Sequence, residues 1–314
     1  MNKKHFCLTI LILLGVILSG CGPSVVQTPT MAAATATALP TMLPPTDTPT
    51  ALPTDIPTAK PTHKPTATTA PTLAAGAVRS TPKDDAEMVY VPAGEFSMGS
   101  TVGTVDEQPV HTVYLDAYWI DKTEVTNEMY RQCVRAGTCL QPQNQSNTHF
   151  NYYPDPVYAD YPVINLKWSS ADKYCTWAGG RLPTEAEWEK AAVGTDGRTY
   201  PWGNALPNSK LLNFNNPVGD MMLAESFLAG ASPYGALNMA GNAREWVADW
   251  YSADYYPASP KSNPTGPANG LYKVLRGGSW HSGIYDIRSA DRSYLEPDVR
   301  DKTVGFRCVV PAEQ

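Results

Sequence analysis

The sequence lacks an excess of positive charge, a long hydrophobic run and any Cys-x-x-Cys pair. Its 24 Lys and Arg residues are outnumbered by 30 Asp and Glu residues, which gives a formal net charge of −6. Without a basic stripe the chain has no electrostatic footprint for nucleic acid, and this class of partner is excluded. The apolar run at residues 8–18 is shorter than the roughly 20 residues that a transmembrane helix needs. The missing Cys-x-x-Cys pair argues against a zinc site.

The N-terminus has the parts of a secretory signal. Lys3 and Lys4 precede the apolar run, which ends in Leu-Ser-Gly-Cys at 18–21. Small residues before a cysteine suit a signal peptidase, and this run resembles the lipobox of bacterial lipoproteins. The resemblance implies that residues 1–20 are removed and that Cys21 takes a diacylglycerol, which anchors the protein outside the cytoplasm, to a membrane or cell surface. The alternative is an ordinary signal peptide with a chance cysteine.

Residues 21–85 are dominated by Thr, Pro and Ala. Pro-Thr recurs every four residues at Pro49, Pro53, Pro57, Pro61 and Pro65. Such a segment has almost nothing to bury and favours extended polyproline II. We therefore predict a disordered stalk, which either spaces the globular part from the surface or is a simple tether.

Residues 86–314 are long enough for one domain with a proper core. Apolar residues alternate at strand period over 88–99 and again over 111–120. Capping signals predict three helices, from Thr126 to Ala136, from Ser169 to the Gly-Gly at 179–180, and from the Thr184 capping box to about Val193. The remainder is dense in Gly, Asn, Pro and Trp. The pattern predicts an α+β domain with little regular secondary structure.

Six short motifs follow one another through this domain. They are Asp-Glu-Gln-Pro-Val-His at 106–111, Arg-Leu-Pro-Thr-Glu-Ala-Glu-Trp-Glu at 181–189, Tyr-Pro-Trp-Gly at 200–203, Gly-Asn at 241–242 with Glu-Trp at 245–246, Arg-Gly-Gly-Ser-Trp at 276–280, and Gly-Phe-Arg-Cys at 305–308. In this order they resemble the formylglycine-generating-enzyme, or sulfatase-modifying-factor, family. The resemblance implies the irregular, C-type-lectin-like fold of that family.

The domain contains four cysteines, Cys133, Cys139, Cys175 and Cys308. An even number in an exported protein favours disulfides, and buried free thiols are the alternative. A local bridge between Cys133 and Cys139 is within reach. The resemblance implies the other pairing, because Cys175 and Cys308 match a cysteine pair that is bridged in family members. That bridge would close a loop of about 130 residues, worth about 5 kcal/mol in the chain-entropy estimate.

The chemistry of the family is missing from one interval. Family enzymes oxidise a substrate cysteine with copper held by two cysteine thiolates, ligands that favour Cu(I). The pair should lie between Trp280 and Arg288, yet residues 281–287 read His-Ser-Gly-Ile-Tyr-Asp-Ile. Ile284 stands where the second copper ligand is expected. We therefore expect no copper at this position.

The resemblance also implies two structural calcium sites. The predicted ligands of the first are Asn238, Gly241, Ala243 and Glu245. The predicted ligands of the second are Asn213, Phe214, Asp220 and Met222. Both sets offer only oxygens, which a hard cation prefers. The alternative is that these residues form turns around a core Trp246.

The interval without cysteines is unusual in its content. The residues at 281–287, 293–295, 299, 301 and 303 can all be encoded by codons ending in a pyrimidine, the set reached by randomising the two adenines of an Asn codon. Glu296 and Lys302 do not fit. The pattern resembles the variable region of retroelement-diversified surface lipoproteins, and ordinary drift is the alternative. The resemblance implies ligand contacts from Trp280, His281, Ser282, Ile284, Tyr285, Asp286, Ser293, Tyr294 and Asp301.

Two classes of function follow from these observations. The first is a non-catalytic, surface-displayed module that binds an unknown extracellular protein, peptide or glycan in the old substrate groove. The second is an oxidoreductase of the formylglycine-generating type, or an accessory to one. The missing cysteines favour the first class.

Overall fold

The computed structural model describes residues 73–312. The predicted signal peptide, Cys21 and most of the predicted stalk lie outside these residues. Short elements joined by long irregular segments make up the described part, as predicted for the α+β class. The helices are α1 (Asn127–Arg135), α2 (Trp168–Ala178) and α3 (Glu185–Val193). The strands are β1 (Val78–Ser80), β2 (Glu87–Val91), β3 (Gly94–Met98), β4 (His111–Leu115), β5 (Tyr118–Asp121), β6 (Arg244–Trp250), β7 (Lys273–Arg276), β8 (Ser293–Leu295), β9 (Val304–Phe306) and β10 (Val309–Pro311).

The strands form three sheets. An antiparallel sheet has the order β1-β2-β5-β10, and β3 pairs with β4 in a separate two-stranded sheet. The third sheet has the order β8-β7-β6-β9. In this sheet β9 runs parallel to β6, which places Phe306 opposite Trp246. The last two sequence motifs are thereby brought against the motif at 241–246.

Each of the two segments that alternate at strand period forms two strands. β2 ends before Pro92, which has no N–H to donate to a ladder. β3 then begins at Gly94 with φ 140°, a backbone angle that favours glycine. Asp116 and Ala117 likewise separate β4 from β5, which joins a different sheet. The alternation of apolar residues carries on through both breaks and hides them.

The helices begin and end where their capping residues predict, to within one residue. Thr126 Oγ1 accepts a hydrogen bond from Met129 N at 3.2 Å. At the start of α3, Thr184 Oγ1 accepts from Glu187 N at 3.2 Å, while Glu187 Oε2 accepts from Thr184 N at 2.8 Å. This is the predicted capping box, and it satisfies two backbone donors that a helix terminus leaves open.

Two aromatic-rich clusters form the main core. One surrounds Trp188 of α3 and includes the inner faces of β2 to β5. The other surrounds Trp246 and Phe306 and includes Tyr130 of α1 and Tyr174 of α2. Every residue of α3 is buried. This helix therefore acts as a central support that contacts β3, β4, β6 and β7.

Both predicted disulfides are present. Cys133 is bonded to Cys139 across the turn after α1. Cys175 of α2 is bonded to Cys308, 133 residues further along the chain. The second bridge ties α2 to the link between β9 and β10 at the C-terminal end of the domain.

The ordered domain extends further towards the N-terminus than residue 86. β1 lies inside the segment assigned to the stalk, and Val78 pairs with Val89 of β2. The stalk boundary at residue 85 was therefore placed too late, because a three-residue strand following a Thr/Pro-rich tract leaves almost no periodic signal. Within residues 73–312, no helix is both long and apolar enough to cross a membrane.

Candidate ligand-binding surface

Residues 277–303, here termed the variable segment because the codon pattern predicts variability in them, follow Arg276, the last residue of β7, and this arginine is 1% exposed. Its guanidinium donates to Glu185 Oε1 at 3.2 Å and to Glu189 Oε2, both on α3. It also donates to the carbonyls of Ser289 at 2.7 Å and Ala290 at 3.1 Å. One buried side chain therefore fixes both ends of the loop at 277–290.

Two further arginines anchor the segment by pairing with glutamates outside it. Arg288 donates to both oxygens of Glu107 at 2.6 Å, and Glu107 belongs to the motif at 106–111. Arg292 donates to the two oxygens of Glu185 at 2.8 and 2.9 Å. Bidentate pairs of this kind fix geometry as well as charge. The backbone of the segment is thus anchored at three arginines.

Glu185 is ionised although it is fully buried. Burial raises the pKa of its carboxyl, but the charges of Arg292 and Arg276 outweigh burial, so the pKa lies below its usual range. Burial also disfavours the charged form of Arg276 and so lowers the pKa of its guanidinium. The charges around it, chiefly that of Glu189, together outweigh burial, and the pKa lies above its usual value. The network is therefore a set of mutually dependent charges in the interior.

The predicted ligand residues divide by exposure. Tyr285 is 77% exposed, Tyr294 47% and Ile284 42%. His281 and Asp286 are also exposed, while Ser282, Ser293 and Asp301 are half-buried. Trp280 is only 5% exposed and packs in a small cluster with Tyr152, Ile164, Met221 and Ala243.

Ile287 does not belong to the surface. The codon pattern groups it with the variable residues, yet it is fully buried against Tyr200, Leu212 and Ala240. Codon usage carries no information about which way a side chain points, so this member of the set is corrected to a core residue.

Two cavities open on either side of the variable segment. The first, of about 460 Å³, is lined by Asn147, Asn216, Trp280, His281, Arg300, Asp301, Lys302 and Thr303. The second, of about 290 Å³, is lined by Thr104, Arg244, Gly278, Ser282, Asp286, Asp291, Arg292 and Ser293. Of the predicted contact residues, Trp280, His281 and Asp301 line the first cavity, and Ser282, Asp286 and Ser293 line the second.

Arg244 connects the two cavities. It lines the second cavity, and its guanidinium donates to Thr303 Oγ1 of the first at 2.7 Å. The same group lies 3.7 Å from Asp301 Oδ2 and donates to Ser293 Oγ at 3.5 Å. One cation therefore contacts polar side chains of both cavities.

Tyr294 is part of an aromatic stack at the edge of the sheet. Its ring centroid lies 4.2 Å from that of Tyr251 and 5.0 Å from that of Tyr272. Tyr251 in turn donates its hydroxyl proton to Asp106 Oδ2 at 2.8 Å. The exposed tyrosine is thus supported on a rigid base, which suits an aromatic anchor for a ligand.

Asp291 carries the most perturbed carboxyl of the second cavity. Burial raises its pKa to about 6, partly offset by Arg276. Asp286, by contrast, is exposed and accepts a hydrogen bond from Gly283 N at 3.1 Å. The two carboxyls of this cavity therefore differ in environment, one being partly protonated near pH 6.

No thiolate is available near this surface. The four cysteines within residues 73–312 are all bridged, and Ser282 and Ile284 lie in the interval for which the sequence resemblance implies copper thiolates in active enzymes. A serine hydroxyl and the sec-butyl side chain of isoleucine are not soft ligands for Cu(I). The described residues also hold no cluster of three or more His, Cys, Asp or Glu that could bind a metal.

The first predicted calcium set has an unused oxygen at its centre. Asn238 is 4% exposed, and its Nδ2 donates to Glu124 Oε2 and to Ala224 O, both at 2.9 Å. Its Oδ1 has no hydrogen-bond donor among the described residues. Glu245 accepts from Arg307 with both oxygens at 2.7 Å, and Oε2 also accepts from Trp188. Glu245 Oε1 keeps a free lone pair, so the set fits a cation.

The second predicted set adjoins the first. Asn213 O accepts from Asn242 N at 2.8 Å, and Asn213 Oδ1 is a second buried oxygen without a donor in the described part of the chain. Asp220 Oδ2 accepts from Ser146 Oγ and from Thr148 N. Burial raises the pKa of Asp220, but these hydrogen bonds lower it by a larger amount. The pKa therefore lies below its usual value, and the carboxyl is ionised. The set fits a cation through Asn213 Oδ1 and the remaining lone pair of Asp220 Oδ1.

Several residues of the site were missed by sequence reasoning. Asn147 and Asn216 line the first cavity from two loops far from the variable segment. Asn216 N donates to Trp280 O at 2.8 Å, and Asn147 Nδ2 donates to Gly219 O at 2.9 Å. Neither belongs to a motif, so no signal in the sequence places them there.

Comparison with known proteins gives a family and relatives. The profile described as sulfatase-modifying factor enzyme 1-like domain matches residues 74–312. A formylglycine-generating enzyme of Streptomyces coelicolor is 32% identical over 305 residues, covering 79% of this chain and 97% of that protein. A serine/threonine-protein kinase pkn1 of Chlamydia caviae is 37% identical over 240 residues, covering 71% of this chain. The chain spans only about 37% of the length of that kinase.

Solved structures share the fold at lower identity. PvdO from Pseudomonas aeruginosa superposes with a TM-score of 0.65 at 24% identity, covering 76% of this chain and 99% of that one. Treponema denticola variable protein 1 superposes with a TM-score of 0.60 at 23% identity, covering 75% and 99%. At these identities the likeness establishes the fold alone.

Proposed function

The chain belongs to the sulfatase-modifying-factor, or formylglycine-generating-enzyme, family, with its C-type-lectin-like fold, and we propose that it is a non-catalytic, surface-displayed ligand-binding module. Its ligand is an extracellular protein, peptide or glycan rather than nucleic acid. The ligand contacts the exposed side chains of residues 281–303, which we term the display face.

One observation carries this proposal. Buried arginines anchor the backbone of the segment, whereas the side chains of Ile284, Tyr285 and Tyr294 are exposed. A rigid backbone that presents aromatic and aliphatic groups to solvent limits the conformational cost of binding. Tyr285 in particular is 77% exposed and buries little apolar area, so it contributes little to the fold.

The loss of catalysis is proposed on the same segment. The relative from Streptomyces coelicolor is named as a formylglycine-generating enzyme and is covered over 97% of its length, so an oxidoreductase is the competing function. Copper chemistry of that type needs two thiolates at one site. In this chain Ile284 replaces one, and all four domain cysteines are used in disulfides.

Two further parts of the proposal concern the location of the domain outside the cell. A lipid at Cys21 anchors the chain, and the Thr/Pro-rich stalk separates the domain from the membrane. The fold neighbour from Treponema denticola is named as a variable protein. We extend that idea to this chain, in which a retroelement diversifies the codons of the display face.

Calcium is proposed as a structural ion that supports the display face. Asn238 and Asn213 would supply their unused side-chain oxygens, with Asp220 and Glu245 supplying carboxylate oxygens and Gly241, Ala243, Phe214 and Met222 supplying carbonyls. Bound calcium would neutralise these carboxylates and fix the loops that carry Asn216. Melting of the full chain with calcium and with chelator tests this, because an ion bound only by the folded state raises the melting temperature. Equal melting temperatures in the two conditions would refute it.

The binding function is tested by selecting ligands from random-peptide and glycan libraries on the immobilised full chain. The triple variant Tyr285→Ala/Asp286→Ala/Tyr294→Ala should lose at least tenfold in affinity for the selected ligands, since aromatic anchors carry most of such binding energy. A matched control is Tyr114→Ala/Leu228→Ala/Asp254→Ala, which removes three exposed side chains elsewhere. Equal affinity of the wild type and the first variant would contradict the proposal.

The catalytic half needs its own assay. The full chain, loaded with copper, is incubated with a cysteine-containing sulfatase-type peptide, and the aldehyde product is measured by mass spectrometry. We expect no conversion above that of the peptide with copper alone. Turnover that depends on the protein would favour the oxidoreductase.

A further inference from the structure

We propose that the first cavity of the display face, lined by Arg300 and Lys302 beside Trp280, is a subsite for a carboxylate side chain of an acidic polypeptide. This inference rests on the proposed binding function and specifies the chemistry of its ligand. Its two cations, Arg300 and Lys302, lie outside the proposed variable set.

Two cations line this cavity without a carboxylate partner of their own. Arg300 is exposed and Lys302 is half-buried, and within residues 73–312 neither forms an ion pair. The other arginines of the region are engaged, Arg288 with Glu107 and Arg292 with Glu185. Unpaired positive charge is therefore concentrated at one place on a chain whose net charge is −6.

The single acid of the cavity is already committed to other partners. Asp301 Oδ1 accepts from Thr303 N at 2.7 Å and from Thr303 Oγ1 at 2.6 Å. Its Oδ2 lies 3.7 Å from the guanidinium of Arg244. Because the carboxylate of Asp301 is already engaged by Thr303 and Arg244, the charges of Arg300 and Lys302 remain available to a ligand.

The charged donors of the cavity match a carboxylate. Arg300 offers a guanidinium and Lys302 an ammonium, and both line the cavity beside Trp280, which is 5% exposed. Carboxylate oxygens are acceptors only, so they suit a cavity whose charged side chains are both donors apart from the already engaged Asp301.

The surroundings favour a polypeptide over an acidic glycan. Ile284 and Val299 are 42% and 37% exposed on the same face. Exposed aliphatic side chains gain by covering against other apolar side chains, which a peptide carries and a polysaccharide lacks. Lys302 moreover falls outside the codon set of the variable positions. A constant cation among changing neighbours implies a constant acidic feature in the ligands.

The test uses binding of the full chain to three immobilised polymers, namely poly-L-glutamate, hyaluronate at matched carboxylate density and neutral dextran. The wild type should bind poly-L-glutamate more tightly than hyaluronate and should not bind dextran. Arg300→Glu/Lys302→Glu should weaken binding to poly-L-glutamate at least tenfold, since charge pairs at an interface contribute this much and more. Lys173→Glu/Lys261→Glu makes the same change in net charge at exposed lysines elsewhere and should weaken binding less than threefold.

Each other outcome overturns the inference. Equal losses in the two variants would show an effect of net charge, and absence of binding to poly-L-glutamate would show that no subsite exists. Equal or tighter binding to hyaluronate would replace the polypeptide with an acidic glycan. Library ligands that depend on Tyr285 and Tyr294 but not on Arg300 and Lys302 would remove the subsite while leaving the proposed binding function intact.

Discussion

The buried arginines that anchor the segment and the exposed residues of the display face are close in sequence but have opposite environments. Arg276, Arg288, Arg292 and Arg307 are at most 8% exposed, and each pairs with a glutamate. Tyr285 lies three residues before Arg288 and is 77% exposed. Arg288 also donates to the carbonyl of Tyr285 at 3.0 Å, so the anchor holds the backbone and leaves the side chain free.

This arrangement separates two tasks that usually compete. A loop that carries function commonly takes its sequence from both folding and binding. Here the charges that fix the loop come from β7, α3 and the motif at 106–111, and the exposed positions contribute little to the fold. The contrast predicts that stability responds steeply to changes in the buried region and hardly at all to changes on the display face.

The largest expected effect is covalent. Cys175→Ala/Cys308→Ala opens a loop of 133 residues, for which the chain-entropy estimate is about 5 kcal/mol. Cys133→Ala/Cys139→Ala opens a loop of 6 residues, for which the same estimate is about 2 kcal/mol. All four cysteines are buried, so the pairs are matched in lost packing. Urea unfolding of the two variants measures the difference, and equal midpoints would contradict the long-range bridge as the main brace.

Next in size is the loss of a buried charge. Arg276→Ala leaves Glu185 and Glu189 in the interior without their shared partner, which costs about 3–5 kcal/mol. Arg300→Ala removes the same charge from an exposed position and should change the free energy of unfolding by less than about 0.5 kcal/mol. Similar unfolding midpoints for the two variants would show that the ion-pair network does not support the segment.

A third effect, smaller per unit of pH than the losses above, concerns Asp249, which lies next to this network. Burial, followed by the charge of Glu185, raises the pKa of Asp249 to about 8, although its Oδ2 accepts from Glu185 N. In the unfolded chain this carboxyl ionises near pH 4, so the folded state binds the extra proton between pH 4 and 8. Its contribution to stability is therefore complete below pH 4 and declines as the pH rises to 8, by at most about 1.4 kcal/mol per unit.

Asp249→Asn isolates this contribution, because the amide keeps an oxygen for Glu185 N and does not titrate. The free energy of unfolding of the variant should fall less between pH 5 and 8 than that of the wild type. Parallel profiles of the two proteins would show that Asp249 is ionised in the folded state. The neighbouring Lys273, whose pKa burial lowers to about 8, acts mainly above this range.

The sequence predicts what depends on neighbours in the chain. Thr126 and Thr184 begin their helices because a cap needs only the next three residues. The family and the Cys175–Cys308 bridge came from motifs that resemble known proteins. In contrast, Glu107 and Arg288 lie 181 residues apart, and no periodicity links them. Contacts of this range depend on the complete fold and were therefore found only in the structure.

The candidate site shows the same limit. The codon pattern selected Tyr285, which is 77% exposed, but it also selected Ile287, which is fully buried. The first cavity includes Asn147 and Asn216, which the chain brings to the display face through irregular loops. Irregular segments carry neither period nor cap, so their positions in space cannot be inferred from local sequence.

The smallest expected effect is on the display face, where two isoleucines three residues apart provide an internal control. Ile284→Ala should change the free energy of unfolding by less than about 0.5 kcal/mol, because the side chain is 42% exposed. Ile287→Ala should cost about 2–4 kcal/mol, because the same deletion leaves a cavity beside Leu212. Both substitutions remove the same atoms, so a difference between the two losses in the free energy of unfolding reports the difference in burial. Equal losses at the two positions would mean that the display face is part of the folding core, and the separation of anchor from exposed residue would then fail.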